Sequence, residues 1–210
     1  MLTVLAALAV GYVLGALPSA ALAARLRGRR IFEVGSGNMG AMNTARNLGW
    51  GLGVAVLAAD VGKGALATAA GMAMARAVAL DPNPALVPAL AAGLGAVVGH
   101  AWSVFVRFKG GKALATLFGA SLPLYPLGGL AGLVLVVALM LLTRRATWAT
   151  VGTLVGYPFV VALAALRAGS DLETAFALFT GTVPLAAVAL FKHRRPRPVV
   201  ADPRVGPPVG

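Results

Sequence analysis

The sequence contains no cysteine, only two histidines and only six acidic residues among its 210 positions. Without cysteine there is no disulfide bond, no thiol nucleophile and no thiolate metal site. Two histidines are too few for most metal centres, so neither a metal nor a cofactor is expected. Charged residues make up 11% of the chain, which leaves too little polar surface to cover a soluble globule.

Hydrophobic residues are abundant instead, at 59% of the chain, and the mean hydropathy is +0.87. A helix needs roughly 20 apolar residues to cross the hydrocarbon core of a bilayer. The sequence therefore predicts an all-α, polytopic integral membrane protein with about seven transmembrane helices. The predicted spans are residues 2–24, 48–75, 85–106, 113–124, 127–142, 148–166 and 172–191. The fourth and fifth spans are separated by a helix-breaking cluster of Pro123, Pro126, Gly128 and Gly129.

The net charge of +12 could indicate nucleic-acid binding, but the cations lie in short clusters between apolar spans without interleaved aromatics. With the N-terminus outside, every Lys and Arg except Lys63, Arg76 and Arg167 falls in inner loops or in a cytoplasmic C-terminal tail. This bias matches the positive-inside rule. We therefore expect a bilayer rather than a nucleic acid as partner, with residues 1–195 forming one membrane domain and residues 196–210 a disordered tail.

Three segments rich in glycine or cations interrupt the apolar pattern, at residues 35–46, 99–113 and 192–198, and the predicted topology brings all three to the cytoplasmic face. Glycine lets the backbone approach an anion, and Lys and Arg supply countercharge, so the segments suggest phosphate binding. The polar side chains of the first segment are Ser36, Asn38, Asn43, Thr44 and Arg46. The alternatives are a polar loop that caps a helix and, around Lys109 and Lys112, a basic stop at the membrane edge.

Two other readings of the glycines are weaker. Gly35, Gly37 and Gly40 satisfy the spacing G-x-G-x-x-G, but the alternating strands and helices of a dinucleotide-binding fold are absent from the pattern. Neither GGKA nor VGKG fits a Walker-type phosphate loop, because the earlier glycine and the following Ser or Thr are missing.

Three polar residues lie inside or at the end of predicted spans. Lys63 follows Asp60 by three residues, so the two share a helical face. They form either a self-neutralising pair that packs helices or part of a ligand site. His100 could be a base because its ordinary pKa is near neutrality, but a hydrogen-bonded structural role is favoured.

At this point the motifs resemble those of the bacterial acyl-phosphate:glycerol-3-phosphate acyltransferases, over nearly the whole chain. GSGNMGAMNTAR is similar to the family pattern S-G-N-x-G-A-x-N-x-x-R, DVGKG to D-x-x-K-G, and GHAWSVFVRFKGGKALAT to G-H-x-x-S-x-F-x-x-F-K-G-G-K-G-x-A-T. The chain departs from the family at Ala113, where glycine is usual, at Thr147 and Thr150, where serines are usual, and at Pro196, where asparagine is usual.

The resemblance implies transfer of a fatty acyl group from acyl phosphate to the 1-hydroxyl of glycerol 3-phosphate, at the cytoplasmic face of the bacterial inner membrane. It implies catalytic roles for Ser36, Arg46, Lys109, Thr147 and His193. It implies substrate binding by Gly35, Gly37, Asn38, Gly40, Asn43, Thr44, Gly110, Gly111 and Lys112. No metal or cofactor is implied.

Two alternatives remain open at this level. Short interrupted spans and an intramembrane Asp60 and Lys63 are also typical of small membrane transporters or lipid-moving proteins. A binding-only paralogue would be consistent with Pro196. A His-x4-Asp dyad, used by acyltransferases that take thioester donors, is absent, because Phe105 and Pro198 stand where the aspartate would follow His100 and His193.

Overall fold

The computed structural model describes residues 1–78 and 85–193, and all regular structure in these two ranges is helical. Two 3-10 turns, Ile31–Glu33 and Val104–Val106, lie in the loops. The α-helices are α1 (Leu2–Ala16), α2 (Ser19–Arg25), α3 (Ala41–Leu48), α4 (Trp50–Val78), α5 (Leu86–Ala101), α6 (Leu114–Ser121), α7 (Pro126–Thr143), α8 (Ala146–Arg167) and α9 (Leu172–His193). The predicted all-α class is confirmed, whereas the predicted tail lies outside the described residues.

Six helical stretches in the described ranges are long and apolar enough to cross a membrane. The first combines α1 and α2 into Leu2–Arg25, and the others are α4, Leu86–Val106, α7, Thr147–Arg167 and α9. The count of seven is not confirmed, because the predicted span 113–124 contains only the eight-residue helix α6. At 1.5 Å per residue α6 is about 12 Å long, against a hydrocarbon core of about 30 Å.

Helix α6 is apolar because it is interior to the bundle. All residues from Thr116 to Ser121 are buried, and the helix packs against α4, α5 and α7. Hydropathy cannot separate a short helix buried in protein from one that faces lipid, so the apolar run 113–124 does not by itself establish a membrane-spanning helix. The predicted interruption after it is confirmed, since α7 begins at Pro126, where a missing N–H costs nothing.

Helices α1 and α5 pack against each other through glycines on both partners. A Cβ added at Gly11 or Gly15 would collide with the backbone of α5, and one at Gly95 or Gly99 would collide with the backbone of α1. Both pairs have the G-x-x-x-G spacing, which lets membrane helices approach closely. Gly15 meets Ala96, whereas Gly11 meets Ala92, so the two helices run parallel.

Helix directions bring one set of chain segments to the same end of the bundle. Helix α9 also runs parallel to α5, because Gly93 meets Leu185 and Trp102 meets Phe191. Helices α7 and α8 are antiparallel, since Gly128 meets Val161 and Gly132 meets Tyr157. This end, called here the basic end, consists of residues 26–49 and 102–113, the α7–α8 connection and the end of α9 at His193.

The connection between α8 and α9 lies at the opposite end of the bundle. Between α8 and α9 the Asp171 carboxylate accepts a hydrogen bond of 2.7 Å from the backbone N–H of Thr174 and so caps α9. This backbone hydrogen bond holds the pKa of the exposed Asp171 carboxyl below its usual value. The cap fixes where α9 starts and therefore how far along the bundle its last residue, His193, extends.

Candidate active site

The first motif is a compact loop organised by one buried asparagine. The Asn43 side-chain amide donates to the backbone oxygens of Val34 and Asn38, at 3.1 and 3.0 Å. Its oxygen accepts from the backbone N–H of Ser36 at 3.0 Å and from Asn47 at 3.0 Å. Both donors and both lone pairs of Asn43 are therefore used inside the protein.

These contacts change the roles expected for two residues. Asn43 and Thr44 are predicted substrate contacts, but Asn43 has no hydrogen-bonding capacity left, and the fully buried Thr44 hydroxyl donates to the Gly40 carbonyl. In this structure both side chains hold the loop together, and their contact with substrate stays a prediction. The polar side chains of the same motif that reach the surface are Ser36 and Arg46, which are exposed, and Asn38, which is partly exposed.

Several glycine amides are also engaged within the protein. Three glycine N–H groups donate to backbone carbonyls, each at 3.0 Å. Gly37 donates to the carbonyl of Val34, Gly40 to that of Asn38 and Gly111 to that of His100. These three amides are therefore hydrogen-bonded within the protein, and substrate binding by these glycines stays a prediction. Gly35 and Gly37 have positive φ angles of 55° and 60°, so glycine is required there for the turn of the backbone.

The second motif packs onto the end of α5. A Cβ at Gly110 would collide with the carbonyls of His100 and Ala101, and one at Gly111 would collide with the His100 ring and the Met39 carbonyl. These glycines are therefore required for close packing between loops. Ala113, where the family usually has glycine, is buried and has a φ of 59°, a left-handed conformation that glycine favours.

The two motifs meet and form one surface at the basic end. Gly111 of the second motif lies against the carbonyl of Met39 in the first. The Lys109 ammonium lies 5.9 Å from the centre of the Phe32 ring, within the range of a cation–π contact. Ile31, Val34 and Met39 are buried in a small apolar cluster with α2, so the first motif is fixed to the bundle. Arg46, Lys109 and Lys112 are thereby carried by one connected framework.

The end of α9 lies beside this surface. His193 is partly buried and interacts electrostatically with Lys112 of the second motif. Among the described residues, the buried Nδ1 atom of His193 has no hydrogen-bond partner. The Lys192 ammonium lies 4.7 Å from the Trp102 ring centre, which joins α9 to the loop after α5. The remaining cations of the third segment, from position 194 onward, lie outside the described residues.

Thr147 is placed at the same end by topology. It lies in the first turn of α8 and is exposed, and α8 starts where α7 ends, next to the end of α9. Thr147 is assigned to the site because it lies at the basic end of the bundle, and not because of a contact with the motifs. The structure thus brings the first motif, the second motif and His193 together, and leaves Thr147 nearby.

A buried polar cluster beneath the surface contains the expected pair of Asp60 and Lys63 together with His100 and Ser103, whose partners the sequence did not indicate. Asp60 and Lys63 form an ion pair of 2.8 Å inside the bundle, and His100 lies 3.5 Å from the same Asp60 oxygen. The Ser103 hydroxyl donates to the Ala16 carbonyl at 2.5 Å. In the sequence, His100 and Ser103 stand out only as polar residues at the end of an apolar span. Their partners, Asp60 and Ala16, lie on other helices far away in the chain.

The fold and this surface define a multi-pass, all-helical membrane protein that concentrates cations and polar loops at one end. The chain belongs to the glycerol-3-phosphate acyltransferase family, whose model matches residues 5–197. It is therefore an acyltransferase with the features of a phospholipid-synthesis enzyme, and the transporter alternative is not supported.

Relatives and solved structures agree with this assignment. The chain is 40% identical to glycerol-3-phosphate acyltransferase 1 of Deinococcus radiodurans, covering 92% of this chain and 89% of the relative. It is 42% identical to the enzyme of that name from Dehalococcoides mccartyi, covering 73% and 74%. The crystal structure of PlsY (YgiH), an integral membrane glycerol 3-phosphate acyltransferase in its glycerol 3-phosphate form, has a TM-score of 0.71 and 28% identity, covering 91% and 88%. Its lysophosphatidic acid form has a TM-score of 0.70 and 26% identity.

Proposed function

We propose that this protein transfers a fatty acyl group from acyl phosphate to the 1-hydroxyl of glycerol 3-phosphate. The hydroxyl oxygen attacks the acyl carbonyl carbon, the bond from that carbon to the phosphate oxygen breaks, and inorganic phosphate leaves. The hydroxyl proton passes to a phosphate oxygen of the donor. The products are lysophosphatidic acid and phosphate, so atoms and charge balance without a metal or another cofactor.

The observation that carries the proposal is the joining of the two motifs through Gly111 and Met39, with the end of α9 held next to the second motif by the contact between Lys192 and Trp102. Both substrates carry a phosphate, and the surface offers three cations, Arg46, Lys109 and Lys112, on one framework. Arg can bind phosphate through two parallel hydrogen bonds, and fixed cations stabilise negative charge that develops on the attacked carbonyl.

Neutral side chains have complementary roles in this proposal. Ser36, exposed at the surface of the first motif, and Thr147, in the first turn of α8, orient the glycerol hydroxyls or the carbonyl. The buried Nδ1 of His193, without a partner among the described residues, is suited to a phosphate oxygen. Phosphate is a good leaving group, so the site needs no strong general acid.

We place the reaction at the cytoplasmic face of the bacterial inner membrane. The basic end holds most of the cations of the described chain, and such a bias marks the cytoplasmic side. The solved PlsY structures with glycerol 3-phosphate and with lysophosphatidic acid lend support to both the acceptor and the product.

Purified protein in proteoliposomes tests the proposal directly. With acyl phosphate and radiolabelled glycerol 3-phosphate, we expect equimolar lysophosphatidic acid and phosphate, with the same rate after treatment with a chelator. Acyl-coenzyme A is expected to support no comparable rate, because the hydroxyl-activating His-x4-Asp dyad of thioester-using enzymes is missing. Equal rates with both donors would contradict the mechanism, and binding of both substrates without product would favour the binding-only paralogue.

A further inference from the structure

His100 connects the buried interior to the second motif through both sides of its ring. Its Nδ1 atom is 3.2 Å from the Thr116 hydroxyl and 3.5 Å from the Asp60 carboxylate. The opposite ring edge, with Nε2, lies against the Cα of Gly111, where an added Cβ would collide with it. The backbone carbonyl of His100 also accepts the Gly111 N–H at 3.0 Å. One residue therefore contacts the loop by ring and by backbone.

Asp60 is itself held from three directions. Its Oδ1 atom accepts from Lys63 at 2.8 Å and from the Ser19 hydroxyl at 3.0 Å, in addition to facing His100. The Lys63 ammonium also donates to the Leu17 carbonyl at 3.0 Å. Leu17 precedes Pro18, where α1 ends and α2 has not yet begun, so its carbonyl lies outside the regular helical ladder. The same cluster therefore supplies a hydrogen-bond donor to the carbonyl at the break in the first span.

The preceding part of the loop is anchored in the same region. The Ser103 hydroxyl donates to the Ala16 carbonyl at 2.5 Å, and the Ser103 carbonyl accepts the Phe108 N–H at 2.8 Å. The turn of residues 109–112, Lys-Gly-Gly-Lys, therefore lies between an anchor at Ser103 and the ring of His100. The cations of this turn, Lys109 and Lys112, are the ones proposed to bind phosphate.

A buried ion pair is a poor source of stability, because the desolvation of two charges offsets much of their attraction. Apolar residues of similar volume would pack the helices equally well. The cluster instead fixes the orientation of one ring, and that ring touches the turn that carries Lys109 and Lys112.

We propose that His100, oriented by Asp60 and Thr116, is a positioning residue that holds the turn 109–112 in its productive geometry. Lys63 holds the Asp60 carboxylate in place through their 2.8 Å contact. The proposal rests on the proposed function, since the turn matters because its cations bind phosphate. Misplacement of such groups by about 1 Å can lower kcat/KM by roughly 100-fold.

Two variants separate positioning from simple burial. Thr116→Val keeps the volume but removes the hydroxyl beside Nδ1. His100→Asn keeps a polar group near the position of Nδ1 but removes the ring edge that lies on Gly111. The matched control is Thr68→Val, because Thr68 is equally buried and belongs to α4, two turns beyond Asp60 and away from the second motif.

We expect both test variants to lower kcat/KM by about 10- to 100-fold while they remain folded, with Thr68→Val close to the parent. We expect most of this decrease to come from a higher KM for at least one of the two phosphorylated substrates. If His100 and Thr116 had only a structural role, the variants would instead lose thermal stability without a specific increase in KM. Parent-like constants in folded Thr116→Val and His100→Asn proteins would overturn the proposal.

A second readout needs no activity. Because the chain lacks cysteine, a spin label can be attached at a single introduced cysteine, Phe105→Cys beside the turn or Ser170→Cys at the opposite end. Thr116→Val and His100→Asn are expected to increase label mobility at position 105 and leave it unchanged at 170. Unchanged mobility at 105 would overturn the positioning role. Failure of the parent to form lysophosphatidic acid would instead contradict the proposed function.

Discussion

The three cations assigned to phosphate are held in different ways. Arg46 and Lys109 are exposed, and Lys109 is steadied by the Phe32 ring, whereas Lys112 is partly buried beside His193. Exposed cations on a fixed framework can reach an anion at the membrane surface with little rearrangement. The side chains, rather than the occupied amides of Gly37 and Gly111, carry the charge in this arrangement.

Replacing each of these cations singly by alanine, at Arg46, Lys109 and Lys112, is expected to reduce acyl transfer by about 30- to 1000-fold. The reason is that a charge-assisted phosphate contact made in the transition state stabilises it by roughly 2 to 4 kcal/mol. Initial rates of lysophosphatidic acid formation measure the effect. Arg167→Ala, at the opposite end of the bundle, is the control and should keep the parental rate. Rates within about twofold of the parent for all three variants would contradict the phosphate assignment.

Ala113 offers a test of local backbone conformation. Its left-handed φ of 59° costs an alanine about 1 to 2 kcal/mol, but glycine would lose a buried methyl worth about 0.8 kcal/mol and gain unfolded-state entropy worth about 0.4 to 1 kcal/mol. Ala113→Gly is therefore expected to change the free energy of unfolding by less than about 1 kcal/mol.

A β-branched residue at the same position should behave differently. Ala113→Val is expected to destabilise the protein by a further 1 to 3 kcal/mol, roughly, because a branched side chain is strained in this conformation and overfills a buried site. Thermal unfolding in one detergent compares the two variants with the parent. Equal stability of the valine variant would show that position 113 is not left-handed in the membrane protein.

At the scale of elements, the parallel seam of α1 and α5 determines where the first and second motifs begin. The glycines at 11, 15, 95 and 99 allow backbone contact over the whole seam. Close approach also brings the Pro18 break next to α4 and the end of α5, where Lys63 donates to the Leu17 carbonyl and Ser103 to the Ala16 carbonyl. Moving α1 away from α5 would therefore displace the residues that anchor both motifs.

Gly15→Ala is expected to lower the free energy of unfolding by about 1 to 3 kcal/mol, because the added methyl collides with the backbone around Ala96. Gly62→Ala is the matched control, since a Cβ there meets nothing within contact distance in the described structure. As a helical glycine replaced by alanine, it should be neutral or stabilising by up to about 1 kcal/mol. Thermal melts of both variants in the same detergent measure the difference. Equal melting temperatures would contradict the close seam.

At the scale of the whole molecule, the chain between the second motif and α7 decides the topology. Helix α6 is too short to span alone, yet the chain between the second motif and α7 reaches far from the basic end. The Tyr125 hydroxyl donates to the Ala164 carbonyl, one turn from the end of α8 at the opposite side of the bundle. Residues 111–125 therefore cross much of the bundle as α6 together with non-helical chain.

Single cysteines test this topology in a background that has none. We expect membrane-impermeant reagents to label positions 36, 109 and 147 only from the cytoplasmic side and position 170 only from outside, because the cations favour the basic end inside. Labelling of each position in right-side-out and inverted vesicles measures the orientation. Labelling of position 147 from outside would mean that the region 113–142 crosses once, contrary to the helix directions found here.

The sequence by itself determined the membrane class, the break at Pro123–Pro126 and the grouping of the motifs at one end. Hydropathy, proline position and loop charge are read locally along the chain, so they need no knowledge of distant contacts. The family motifs also identified Ser36, Arg46, Lys109 and His193, whose placements agree with a common surface, although their catalytic roles stay predictions.

Only the tertiary structure decided which polar groups are used inside the protein. Asn43, Thr44 and the Gly111 amide looked available in sequence, but their partners are fixed when loops close and pack. Likewise, α6 is apolar because α4, α5 and α7 cover it, and Asp60 meets His100 because antiparallel helices bring positions 40 residues apart together. Such long-range pairings depend on helix direction and register, which no local pattern of residue types specifies.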